Sequence, residues 1–198
     1  MKKITYNVNF ILVGQEPNIK DVIIDFIKKQ AIEASYINDV LKKIDYYEFL
    51  IVYEKIPIRL RIFSASNLDE IIYNHDKIKV LDVIVLITDL NKNTIEKYES
   101  EKVRELNEYF SFKGISALLD FSFLNVSNNY NEIEKNKEKL IEKAKELDSI
   151  YCFTIYNIED DLKEFFSTIF NDLLFKFRIS SLELFEDAIK YGSSLISK

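Results

Sequence analysis

The sequence predicts an α/β protein of three layers, doubly wound around a mostly parallel six-stranded sheet with one antiparallel edge strand. Three observations lead there. Strand-like and helix-like patterns alternate along the whole chain, as βα units that build a parallel sheet do. The run 83–87 is apolar at every position, as a strand covered on both faces requires. One pair of β-rich segments, 46–54 and 58–63, is joined by Lys55-Ile56-Pro57, which predicts a single hairpin and hence one antiparallel strand.

Each element follows from its own pattern. Residues 8–13 form a short apolar run ending at Gly14, a first strand. Residues 18–30 carry Val22, Ile23, Phe26 and Ile27 on one helical face. Residues 31–45 are weakly patterned and predict a mobile loop with some helix. After the hairpin, 68–79 is polar and weakly helical, 83–87 a strand and 94–110 a helix. Residues 121–124 are the next strand, 131–147 a charged helix and 150–155 the last strand. Asn157 can cap a helix over 158–177, with Asp160 in the first turn where the helix dipole favours it. A final short helix opens at Ser180, with Glu183 three residues on as a capping box, and stops near Gly192. The organisation is one domain over 1–178 and a short helix with tail over 179–198.

Composition narrows the function classes. With 198 residues, 47% of them apolar, 15 Phe and 12 Tyr, the chain can bury a large core. A net charge of −6 opposes a nucleic-acid partner, whose phosphates need a basic face. The single Cys152 excludes an internal disulfide and suits a reducing, cytoplasmic setting. No apolar run approaches the length of a transmembrane segment, the start shows no signal-peptide pattern and the end carries no lipidation cysteine. There are three glycines, and only Gly14 falls in the first 113 residues. Phosphate cradles need glycine where backbone must approach phosphate closely, so this count speaks against an intact one.

Four segments nevertheless fall at the ends of predicted strands, where open α/β sheets bind ligands. The first is Gly14-Gln15-Glu16-Pro17-Asn18-Ile19-Lys20-Asp21, between a strand and a helix. The second is Ile62-Phe63-Ser64-Ala65-Ser66-Asn67, at the end of the hairpin. The third is Asn125-Val126-Ser127-Asn128, and the fourth is Thr154-Ile155-Tyr156.

Their order and separations resemble those of the Ras-like small GTPases over roughly residues 5–178, with most motif residues substituted. The resemblance implies a phosphate loop at 14–21, in which Gly14 and Lys20 match. Ile19 stands in place of its second Gly and Asp21 in place of the hydroxyl that holds Mg²⁺. Ser64 and Asn67 replace the Asp and Gly of the second motif, and Leu68 stands where the family orients its attacking water. No Thr lies between Thr5 and Thr88, which leaves Ser35 as the hydroxyl residue of the effector loop. Asn125 matches the guanine-reading motif. Val126 and Asn128 replace its Lys and Asp, and an amide in place of that carboxylate sets donor against donor at the guanine edge. Thr154 keeps a hydroxyl at the fourth motif, while Tyr156 is bulky and is expected to fill an empty pocket.

The resemblance therefore implies a degenerate, pseudoGTPase-like G domain that serves as a protein-interaction module, with no catalytic or metal-ligating residue. Its alternative is a weak nucleotide-dependent switch, with GTP or GDP and Mg²⁺ held by Gly14, Lys20, Asp21, Asn125, Asn128 and Thr154. A response-regulator receiver shares the local look of 11–19, but its repeated βα pattern has no place for the hairpin.

The remaining residues read as structural. His75 is expected on the surface without a partner, Cys152 in a strand core, and Asp160 and Asp161 at a helix start. The partner surface is expected on the strand 46–53, read as the sheet's edge and exposing Tyr47, Phe49, Ile51 and Tyr53 on one side. Association through it, with itself or another protein, is the expectation. The competing expectation covers one face with the helix 158–177 and the other with Leu182, Phe185 and Ile189.

Overall fold

The computed structural model describes residues 2–39, 44–76, 78, 80–92, 94–122 and 130–196. Seven strands form one sheet: β1 (Tyr6–Val13), β2 (Glu33–Asp39), β3 (Ile44–Tyr53), β4 (Ile56–Ala65), β5 (Val83–Thr88), β6 (Ile115–Asp120) and β7 (Tyr151–Thr154). Six α-helices accompany them: α1 (Pro17–Gln30), α2 (Leu68–Tyr73), α3 (Ser100–Phe110), α4 (Tyr130–Glu146), α5 (Ile158–Ser180) and α6 (Leu182–Ile196). The sheet order is β2-β3-β4-β1-β5-β6-β7, with β3 antiparallel to both neighbours and the remaining pairs parallel. Among the described residues no helix is long and apolar enough to cross a membrane.

The α/β class, the mostly parallel sheet and its antiparallel edge agree with the sequence; the strand count and the identity of the outermost strand do not. The sheet has seven strands, and β3, the segment read as the edge, is paired on both sides. The outer strand is β2, in the stretch expected to be a loop. Its residues Ala34, Ser35, Tyr36 and Asn38 are exposed, so it carries no buried apolar alternation for a sequence reading to find. Backbone pairing to β3 and the Tyr36–Tyr47 contact, with ring centroids 5.1 Å apart, hold it instead.

β1 is the centre of the molecule. Val8, Phe10, Ile11, Leu12 and Val13 are fully buried, and alternate residues enter two separate cores. On one face, α1, α5 and α6 cover Val8, Phe10 and Leu12. Phe166 of α5 lies 6.0 Å from Phe10 and 5.8 Å from Phe26 of α1, which joins the sheet and both helices through aromatic contacts. On the other face, Leu68 and Ile71 of α2, Val103 and Leu106 of α3 and Leu140 and Ala144 of α4 cover Ile11 and Val13.

Phe49 is 1% exposed and Ile51 7%, both within the α1/α5/α6 core, so these two expected partner residues are packing residues. Tyr53 stacks near Phe170 and donates its hydroxyl to Asn171 Oδ1 at 2.9 Å. Phe185 and Ile189 of α6 pack on that same face, not on opposite faces as the competing expectation had it. The other face of β3 holds a charged group: Glu48 accepts from Arg59 at 2.7 Å and Arg61 at 2.8 Å. Burial alone would raise the Glu48 carboxyl, but the hydrogen bonds and charges of the two guanidiniums outweigh it and hold the group below its usual value.

β6 spans Ile115–Asp120, several residues before the expected 121–124, and every residue in it is buried. Gly114 opens it because a Cβ there would lie 2.1 Å from the Asp82 carbonyl oxygen. α6 runs through Gly192 instead of stopping there. A Cβ at Gly192 would lie 1.9 Å from the Lys55 carbonyl oxygen, so the glycine lets α6 sit directly on the β3–β4 turn. Ser180 ends α5, and its hydroxyl donates to the Phe177 carbonyl, so it caps no following helix.

Two outcomes follow from this packing. Gly192→Ala should destabilise the protein by about 1–3 kcal/mol in urea unfolding, because overpacking against Lys55 exceeds the roughly 1 kcal/mol of helix propensity gained. Glu48→Gln should cost about 1 kcal/mol at neutral pH. Since the folded carboxyl lies below its unfolded value, the wild type keeps this stabilisation above the ordinary glutamate range and loses it as pH falls through the folded value. Thermal melts of the two proteins should therefore converge in acid.

Candidate functional site

The C-terminal ends of β1, β4, β5 and β6 meet at one rim of the sheet, the position at which this architecture binds ligands. β1 ends at Val13 and α1 begins at Pro17, so only Gly14, Gln15 and Glu16 lie between them. Proline fits a first helical turn, where its missing N–H is no loss. The segment expected to wrap phosphate is thereby absorbed into α1: Ile19, Lys20 and Asp21 are helical residues. The Gly14 N–H donates to the Ala65 carbonyl at 3.0 Å, and a Cβ on Gly14 would meet the Ile87 Cβ at 3.0 Å. The glycine permits a close strand-to-strand approach.

Lys20 is 8% exposed, and its ammonium donates to the same Ala65 carbonyl at 3.2 Å. Burial lowers its pKa below the ordinary lysine value, while Glu70 and Asp21 act in the opposite direction. Asp21, one residue on, faces elsewhere: it lines a cavity between α1 and the strands β2 and β3. Gly14 and Lys20 are thus brought together at Ala65, and Asp21 is not. Thr154 ends β7 opposite Asp120, partly buried. Asn125 and Asn128 lie outside the described residues. β6 ends at Asp120, so the strand does not lead directly into Asn125.

Between β1 and β5 the rim is occupied by the chain's own side chains. Tyr98 is buried, and its hydroxyl sits between the carbonyls of Val13 and Ile87. Burial pushes that hydroxyl far above the usual tyrosine value. Lys97 donates to Gln15 Oε1, and Lys92 pairs with Glu16 at 3.1 Å. The space left among Gln15, Glu16, Asn67, Thr94, Lys97 and Tyr98 is about 30 Å³, room for one or two waters.

Two fully buried carboxylates, Asp89 and Asp120, follow on the adjoining strand ends. Asp120 accepts from the N–H groups of Leu90 and Ser122 and from the Ser122 hydroxyl. Burial raises its pKa in spite of these bonds. Asp89 also pairs with Lys92 at 3.6 Å. Among the described residues no group of three or more His, Cys, Asp or Glu side chains gathers as metal ligands.

The other motif positions are structural. Asn67 caps α2 by accepting from the Glu70 N–H, and Leu68 is 5% exposed within the second core. Asn157 accepts from Glu159 and Asp160 N–H, and Asp161 accepts from Tyr156 and Asn157 N–H, which satisfies the start of α5 as expected. Tyr156, expected to fill a pocket, is 48% exposed and lines an open groove beside α1. His75, expected without a partner, bonds to the Ile72 carbonyl through Nδ1 at 2.8 Å and lies 4.8 Å from the Tyr109 ring. Tyr98, Asp89 and Asp120 were not legible as site residues. Tyr98 and Asp120 bond to backbone groups remote in sequence, those of Val13 and Leu90, which periodicity does not encode, while Asp89 accepts locally from the Asn91 N–H at 3.0 Å.

No protein-family model matches the chain, and no curated protein matches it, so sequence comparison shows no family.

The Lys20 geometry has a measurable consequence. The Ala65 carbonyl keeps its bond from Gly14 if the ammonium is removed, and replacing a buried charge with a similar apolar chain is often neutral or stabilising. Lys20→Met should therefore leave stability unchanged or raise it by about 1 kcal/mol at neutral pH. Because the folded state binds the Lys20 proton less tightly than the unfolded chain, wild-type stability should rise relative to Lys20→Met as pH approaches the ordinary lysine range. Urea titrations across that range check the sign.

Proposed function

We propose that this chain is a degenerate Ras-like G domain that works as a non-catalytic protein-interaction module. Once β2 is set apart, the six strands β3-β4-β1-β5-β6-β7 run in an order that supports the resemblance. The observation that carries the functional half is the placement of Lys20. Its ammonium is committed to the Ala65 carbonyl inside a helix that begins at Pro17, so neither a phosphate loop nor a free phosphate-binding lysine is on offer. A module of this kind keeps the rigid sheet and helices of a switch protein, while its surfaces recognise partners without a nucleotide cycle. The free Cys152 fits a reducing, cytoplasmic setting.

The test is direct. The purified protein is heat-denatured, and the released small molecules are separated by ion-exchange chromatography. The expected result is no stoichiometric guanine nucleotide, and a fluorescent GTP titration with Mg²⁺ should show no sub-micromolar binding. Tight, Mg²⁺-dependent binding that Lys20→Ala abolishes would overturn the proposal and establish a nucleotide-binding protein in its place.

A further inference from the structure

The strongest unassigned feature is a cavity of about 340 Å³ between α1 and the outer strands, within the range of small binding pockets. Its floor is aromatic. Phe49 lies under Ala34, and the Tyr47 ring stacks parallel to Phe49 at 6.2 Å and contacts Tyr36 at 5.1 Å. Tyr36 is 56% exposed, and its hydroxyl bonds to Asp45, which fixes a ring that would otherwise be free. The opposite wall is α1, which contributes Asp21, Asp25, Ile24 and Lys28. Asp21 and Asp25 are four residues apart, so both lie on the same helical face. Two carboxylates against one ammonium leave the wall negative.

We propose that this cavity captures a lysine or arginine side chain presented by an extended segment of a protein partner. The chemistry selects a cation twice. The faces of Tyr36 and Tyr47 carry the negative side of the ring quadrupole, and Asp21 and Asp25 supply full charges opposite them. The partner is a chain segment because the cavity opens beside β2, which is hydrogen-bonded on one side only among the described residues. The free groups of that edge can bond the backbone on either side of the inserted residue. An apolar anchor would gain nothing from the two carboxylates. The inference rests on reading the chain as an interaction module, and it specifies what that module recognises.

The probe is a capped Ser-Gly-Arg-Gly-Ser peptide titrated into the ¹⁵N-labelled full chain and followed by NMR. Saturable shifts are expected at Ala34, Tyr36 and Tyr47. The norleucine analogue should bind about tenfold more weakly. The double variant Asp21→Asn/Asp25→Asn changes only exposed side chains and should keep the wild-type spectrum elsewhere. It should lose about tenfold in affinity, and Tyr36→Ala should weaken binding independently. Agmatine carries the guanidinium without a peptide backbone and should bind weakly. Affinity equal to the peptide's would assign the cavity to a small cation and overturn the partner-segment proposal. Absence of shifts in the wild type, or shifts unchanged in the double variant, would also overturn it. Such a failure removes the cationic anchor and leaves the interaction reading to other surfaces. Tight nucleotide binding in the preceding test removes that reading without altering the peptide shifts.

Discussion

The structure depends on β1 being apolar on both faces. Val8, Phe10, Ile11, Leu12 and Val13 leave no face for solvent, so a single layer of helices cannot satisfy the strand. Phe165, Phe166 and Phe170 of α5, with Phe26 of α1, close one side through a contiguous set of aromatic contacts. The helices α2, α3 and α4 close the other. This two-sided demand produces the three layers and gathers the ends of four strands at one rim.

What that rim does is decided by how tightly it is packed. A ligand site at a strand end needs space, unpaired donors and tolerance for the ligand's charge. Here Tyr98 reaches two strand-end carbonyls, Lys92 and Lys97 reach the β1–α1 turn, and Lys20 reaches Ala65. These contacts tie β1, β4 and β5 together. The rim thereby becomes a stabilising feature. At the outer strands, β2 is hydrogen-bonded on one side only among the described residues, and α1 places Asp21 and Asp25 across a cavity from Tyr36 and Tyr47.

β2 also changes what β3 is. An edge strand with apolar residues on both faces is an association hazard. By pairing with β3, β2 takes the edge itself and presents Ala34, Ser35, Tyr36 and Asn38, mostly polar or aromatic, to solvent. Phe49 and Ile51 are interior residues, with the half-buried Tyr47 and the exposed Tyr36 at their margin.

The sequence by itself determined the elements whose burial is complete. The uniform apolar runs of β1 and β5, the amphipathic α1 and α5, and the Asn157 cap follow from side-chain hydrophobicity and local hydrogen bonding, which are written residue by residue. The tertiary structure alone decided β2, the true span of β6, the passage of α6 through Gly192 and the filling of the rim. Each rests on contacts between residues far apart in the chain: Tyr36 with Tyr47, Gly114 with Asp82, Gly192 with Lys55, and Tyr98 with Val13. Such contacts leave no periodic mark, because what selects the residue is the backbone or ring that the fold brings beside it.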